Sequence, residues 1–221
     1  MTITEKSEIE VFQELYLQHS NGPESVRNAV LNYLSHGWVH RPEREVEIRT
    51  SGEAGVIALE RSPTKDNPGV SLWMFEDTDF RYKVSNIVPL NHGDLGITGY
   101  NAVLKDFVRA VVRPAAKEDH LEYNLSSDVK SIDDWVDQDT AMALKRFSAL
   151  ANKSTGRSHP MDGDRWLAFL LLAHRKNSQL NTEQLSRWLV EVEKWPSEIA
   201  NELTLEYELS RSLLSKYDET C

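Results

Sequence analysis

The stretch Val70-Ser-Leu-Trp-Met-Phe-Glu76, followed after Asp77-Thr-Asp79 by Phe80-Arg-Tyr-Lys-Val-Ser85, decides how this chain is read. In the second half, apolar Phe80, Tyr82 and Val84 alternate with polar Arg81, Lys83 and Ser85. That is the period of a strand with one face buried and one face wet. The first half is more continuously apolar, as a strand inside a sheet would be. A short turn joins the two, so the pairing is antiparallel.

Working back, Val56–Glu60 is a further strand, set off by turns at Ser51–Gly55 and Pro63–Gly69. Val46 and Ile48 alternate with the charges of Glu45–Arg49 and predict a strand there too, giving a meander of three or four strands. Two helices are expected ahead of the sheet. The first carries Ile9, Phe12, Leu15 and Tyr16, with Glu5, Glu8 and Glu10 near its positive end. The second follows Asn21-Gly22-Pro23 with Val26, Val30, Leu31 and Leu34, and Gly37 as C-cap. His36 and His40 stand four apart, a metal-ligand spacing only on a continuous helix, and Gly37 and Pro42 argue against one.

Downstream, everything after Asn91–Gly99 reads as helix. Tyr100, Val103, Leu104, Phe107, Val108, Val111 and Val112 form the cleanest stripe, with Thr98 as N-cap and Pro114 as stop. The next helix starts at the capping box Ser131-Ile-Asp-Asp134 and carries Val136, Ala143, Phe147 and Leu150. Another carries Trp166, Phe169, Leu170 and Ala173. Asn181 and Gln184 cap the one with Leu185, Trp188, Leu189 and Val192. The last, from Ser197, carries Ile199, Leu203, Tyr207, Leu214 and Tyr217. Leu205 and Leu209 lie off its stripe and predict packing on two sides.

The expected fold is therefore α+β: two N-terminal helices with a small antiparallel meander, then a mostly helical half of about five helices. The boundary is expected at the glycine loop, giving an α+β region over 1–97 and a helical region over 98–221, with one continuous domain as the alternative. The stripe from Tyr100 would equally pack back on the sheet.

The 221 residues carry a formal charge of −10 and a single cysteine, Cys221. One cysteine excludes an internal disulfide and suits a reducing compartment. Neither a signal peptide nor an apolar run of membrane-spanning length is visible, so a soluble cytoplasmic protein is expected. Acidity disfavours nucleic acid as a partner, since a basic footprint supplies most of that affinity. Nucleophile-elbow, His-Glu-x-x-His, paired Cys-x-x-Cys and EF-hand signatures are absent. The glycine loop matches neither the P-loop nor the dinucleotide fingerprint, so no cofactor is expected. Arg113 and His120 have the spacing of a HEPN-type ribonuclease motif, but Pro114 is expected to break the helix that motif needs.

Charge is arranged in blocks. Eight acids face two bases from Lys117 to Asp139, seven bases face two acids from Thr140 to Lys176, and nine acids face four bases from Asn177 onward. The basic block surrounds Lys153-Ser-Thr-Gly-Arg-Ser-His-Pro-Met-Asp-Gly-Asp-Arg-Trp166. In it Ser158, Arg157 and His159 offer donors to an anion or a partner carboxylate. Asp162 and Asp164 sit in the first turn of the helix that follows, where they would serve as an internal cap and pair with Arg157 or Arg165. The candidate binding set is Arg157, Ser158, His159, Asp162, Asp164, Arg165 and Trp166. Trp135 and Trp195, each beside acids, are expected to be partly exposed.

These readings favour an acidic protein–protein interaction protein without catalytic activity, of the antitoxin, immunity-inhibitor or regulatory kind. Its protein partner and oligomeric state stay open at this level. The competing reading is a hydrolase or nucleotide- or anion-binding enzyme that uses the 153–166 loop, with His159 and an aspartate in acid–base roles.

Overall fold

The computed structural model describes residues 7–49, 55–64, 68–77 and 80–220. Glu5, the parts of the expected turns at 51–54, 65–67 and 78–79, and Cys221 lie outside the described residues. The chain is mixed α+β with antiparallel sheets, and it divides into two compact units, Glu10–Asp128 and Met1–Ile9 with Val129–Cys221.

The first unit is built on a six-stranded sheet. Its strands, with β1 (Glu8–Glu10) lying outside it, are β2 (Leu15–Gln18), β3 (Trp38–His40), β4 (Val56–Arg61), β5 (Val70–Glu76), β6 (Tyr82–Pro89) and β7 (Glu122–Leu125). They lie in the order β3-β4-β5-β6-β2-β7, antiparallel throughout. The meander β4-β5-β6 is the one expected from the alternation. Its register carries one irregularity: Trp73 faces Asn86 and Met74 faces Val84, leaving Ser85 as an extra residue.

One face of the sheet is apolar. Leu15, Leu17, Ile57, Leu59, Leu72, Met74, Tyr82 and Val84 pack there against Val26, Ala29 and Val30 of α1 (Pro23–Asn32). The long helix after the glycine loop covers the same face. It runs as α3 (Gly96–Phe107), a π-helical segment (Val108–Val112) and α4 (Arg113–Glu118), and buries Val103, Leu104, Phe107, Val108, Val111, Val112 and Ala115. The stripe from Tyr100 thus packs on the sheet.

Several expectations need correction. Residues 9–16 are not a helix: Ile9 lies in β1, and Leu15 and Tyr16 lie in β2, with Leu15 and Leu17 inward. The apolar letters fit both periods. The deciding factor is distant in sequence, because Tyr82–Lys83 of β6 and Glu122–Leu125 of β7 offer edges on both sides of β2. Residues 45–49 are not a strand but part of α2 (Pro42–Arg49), with Pro42 opening the helix. Here the polarity is inverted: Val46 is exposed while Glu45 is buried. α1 ends at Asn32, before the expected Gly37, and Gly37 takes φ 83° in the turn into β3, where His40 lies. Thr98 lies inside α3 and does not cap it. Phe80 precedes β6 and is exposed.

Pro114 does not stop its helix. A proline removes the N–H that the carbonyl four residues back would use. The π segment loosens the spacing at that point, with Arg113 N–H bonded to the Val108 carbonyl. The Ala110 carbonyl, whose helical donor Pro114 lacks, accepts the Ser35 hydroxyl at 2.7 Å. The helix therefore continues one and a half turns further.

The second unit is helical. β8 (Val129–Ser131) pairs with β1 in a two-stranded sheet. The Ser131–Asp134 capping box forms, but it heads a 3₁₀ turn at Ile132–Asp134, and α5 (Gln138–Leu150) starts later under an Asp137 cap. The buried face of α5 is Ala141, Leu144 and Phe147, so Leu150 points outward. α6 (Pro160–Arg175) buries Trp166, Phe169, Leu170 and Ala173 as expected. The Asn181–Gln184 box caps α7 (Thr182–Arg187), which continues as a π segment over Trp188–Val192. α8 (Ser197–Thr220) buries Ala200, Leu203, Thr204 and Tyr207.

A chain of aromatic rings joins these helices. Trp195 stacks on Phe147 at 5.4 Å, Phe147 meets Trp166 at 5.0 Å, Trp166 meets Phe169 at 5.1 Å, and Phe169 stacks on Tyr207 at 5.7 Å. Trp135 and Trp195, expected near the surface, are both buried. Trp195 can be buried beside acids because its indole N–H has a partner, the Ser148 hydroxyl at 2.7 Å.

Candidate functional site

The 153–166 stretch is a turn closed on itself and on α8. Asn152 organises its start: its side-chain oxygen accepts from Ser154 N–H at 3.0 Å and from the Ser154 hydroxyl at 2.7 Å. Gly156 takes φ 62° and lies so close to α8 that a Cβ would sit 3.2 Å from Ile199. The turn needs glycine both for that backbone conformation and for that approach.

Each predicted binding residue can now be placed. Arg157 pairs with Glu206 of α8, and the same carboxylate oxygen accepts the buried Trp166 indole N–H at 3.1 Å. The Ser158 hydroxyl donates to the Thr155 carbonyl at 2.6 Å. His159 caps α6, its Nδ1 accepting from Met161 N–H at 3.3 Å. Asp162 is buried and pairs with Arg165 at 2.5 Å. Asp164 is exposed. Arg157, Trp166 and Glu206 thus come together, whereas His159, Asp162 and Arg165 serve the start of α6.

The charge blocks resolve in the same way. Lys145 pairs with Asp133, Lys153 with Glu193, and Arg157 with Glu206. Bases of the central block meet acids of both flanking blocks inside this unit. Much of the sequence pattern is internal complementarity between helices.

What remains open is a groove of about 690 Å³ between the turn and α8, lined in part by Gly156, Arg157, Ser158, Leu205, Glu206 and Leu209. It leads onto a ridge of α8 with four-residue spacing. Leu205 is 66%, Leu209 69%, Leu213 67% and Tyr217 62% exposed. Packing of α8 on two sides was the expectation for Leu205 and Leu209. In this chain the second side faces outward. Tyr217, expected on the inner stripe with Tyr207, stands instead on this outer row, because the last turns of α8 have no neighbour that buries either face.

Two features of the sheet-bearing unit escaped the sequence reading. Glu45 accepts from Arg27 Nη2 at 2.7 Å, from Ala58 N–H at 3.1 Å, and meets His40 Nε2 at 2.6 Å. Burial pushes its carboxyl up, but these hydrogen bonds outweigh burial and hold it below the usual carboxylate range. On the long helix, exposed Lys105, Arg109, Arg113 and Lys117 stand four apart. Acids lie beside three of them: Asp128 at Lys105, Asp106 at Arg109 and Glu118 at Lys117. Arg113 opens α4, and His120 lies past its end at φ 55°, so the ribonuclease-like pair does not share a helix even though Pro114 leaves the helix unbroken.

Among the described residues, no group of three His, Cys, Asp or Glu side chains is placed to hold a metal ion, and no helix is long and apolar enough to cross a membrane. Comparison with protein-family models, with curated proteins and with solved structures finds no match.

Proposed function

We propose that this chain is an acidic protein–protein interaction protein without catalytic activity, and that its contact face is the groove beside Arg157 together with the outer ridge of α8. The observation that carries this reading is the ridge itself: Leu205, Leu209, Leu213 and Tyr217, all more than half exposed, aligned on one helix. Single exposed leucines are ordinary on a protein surface. A contiguous row bordered by charge is the composition of a contact site. Arg157 and Glu206 at its edge give the polar rim that such sites carry. The size and acidity of the chain fit an inhibitor of the antitoxin or immunity kind, which presents acids to a basic partner.

The internal engagement of Arg157, His159 and Asp162 supports a non-catalytic role, because these groups already hold a turn and a helix start. A thermal shift with nucleotides, abolished by His159→Ala and Arg157→Ala in a folded chain, would favour an enzyme and overturn the reading. The direct test places a photo-crosslinking amino acid at Leu205 or Leu213 of the full chain in living cells. Protein adducts above those from the exposed control position Asn177 are expected. Their absence at both leucines refutes the proposal.

A further inference from the structure

The ridge on α8 is self-complementary, and this points to its occupant. We infer that a second copy of this chain covers it, with the two α8 helices antiparallel about a two-fold axis through Leu209. The inference rests on the proposed contact face and names its partner.

From Glu208 to Thr220 the helix buries no residue, although this half contains Leu209, Leu213, Leu214 and Tyr217. More than three turns of helix with apolar side chains in water gain little from propensity alone, and most helices are held by a buried face. A two-fold axis at Leu209 sets each residue opposite the one equally far on the other side. Leu209 meets its own counterpart, Leu205 faces the partner copy's Leu213, and Glu202 faces its Lys216. Both helices supply these contacts, so each pairing off the axis occurs twice, as an isologous interface requires.

Charge selects this arrangement. Glu202 is exposed and has no ion pair among the described residues, whereas Lys216 has only the exposed Glu219 at 2.8 Å. An exposed i, i+3 pair of this kind contributes little and exchanges readily. In a parallel pairing Glu202 would stand beside Glu202 and Lys216 beside Lys216, which is repulsive. In the antiparallel one no two like charges face each other. Glu206, the other acid on this face, is already neutralised by Arg157.

The area sets the class of interface. Three leucines and a tyrosine at these exposures offer roughly 500 Å² per copy, against about 800 Å² in a standard stable interface. The interface is therefore of the small, transient class, for which association in the micromolar range is expected.

The test is sedimentation equilibrium of the full chain from about 5 to 500 µM, a range bracketing that affinity. The mass is expected to rise from one chain towards two. Leu209→Glu, which sets two carboxylates on the axis, is expected to stay monomeric. Glu202→Lys and Lys216→Glu should each weaken association about tenfold, and the double variant should recover it, since the charges then attract again. All three positions are exposed, and circular dichroism confirms the fold. A monomeric wild type overturns the inference, as does a double variant no better than the singles. If the wild type is monomeric while crosslinkers at Leu205 still capture a different protein, self-pairing fails and the proposed contact face stands. If neither association nor adducts occur, both fail.

Discussion

Replacing Glu45 by alanine is expected to cost the sheet-bearing unit about 3–5 kcal/mol, the usual consequence of removing one partner from a buried ion pair. The Glu45 side chain is 3% exposed and that of Arg27 16%, so water replaces little of what is lost. Three groups lose a partner at once: Arg27, the Ala58 N–H and the His40 ring. Arg27 keeps its bond to the Val56 carbonyl at 3.0 Å but loses its carboxylate. The Ala58 N–H lies just beyond the last β3–β4 pair, His40 with Leu59, where the carboxylate stands in for a strand. An orphaned buried N–H alone costs about 1–3 kcal/mol. These losses overlap in space and do not add. Against a total stability of about 5–15 kcal/mol, the unit would be left close to unfolding. The assay is urea denaturation followed by hydrogen exchange at the amides of β4. Glu45→Gln keeps the shape and one acceptor, and should cost less than alanine. The same cluster sets an acid limit. The folded carboxyl lies below its ordinary range, so its contribution is complete above about pH 4.3 and is lost as pH falls through the lower folded value. The Gln variant should lack that part of the acid slope. An alanine cost below about 1 kcal/mol, or an unchanged acid slope in Glu45→Gln, would refute the argument, because pairs of that size belong to exposed surfaces.

Two further outcomes follow from single hydrogen bonds. Ser35→Ala removes the donor to the Ala110 carbonyl and should cost about 1–2 kcal/mol. In a Pro114→Ala background, where a helical N–H is restored at residue 114, chemical denaturation should show that cost shrinking; an equal cost in both backgrounds rules out the compensation. Ser148 is buried, accepts the Trp195 indole N–H and donates to Glu193 at 2.6 Å, so Ser148→Ala should cost about 1–3 kcal/mol with a shift in tryptophan emission. A variant as stable as the parent means that the indole finds another acceptor.

Local chemistry was legible where a residue acts on its neighbours. The Asn181–Gln184 box, the strands of the meander, and the stripes of α6 and of the helix from Tyr100 all depend on contacts a few residues apart or on one dominant period. The stretch Val70–Glu76 with its alternating successor was enough to require an antiparallel sheet. Residues 9–16 failed because a strand's partner is remote: β2 exists through β6 and β7, the latter more than a hundred residues away. Residues 45–49 failed for a related reason. Alternation marked Val46 and Ile48 as inward, yet Arg27 and His40 make Glu45 the residue worth burying. Pro114 failed as a helix stop because its missing N–H is offset from α1's flank by Ser35.

The candidate site divides along the same line. The sequence by itself determined the residues of the 153–166 turn and its glycine, and that Leu205 and Leu209 lie off the inner stripe of the last helix; it assigned the cap to Asp162 and Asp164, whereas His159 holds it. Only the tertiary structure decided that Arg157 is held by Glu206, that Asp162 is buried against Arg165, and that Leu205, Leu209, Leu213 and Tyr217 face outward. The physical reason is that spacing fixes which side chains share a helix face, whereas burial and ion pairing depend on what the rest of the chain brings against it.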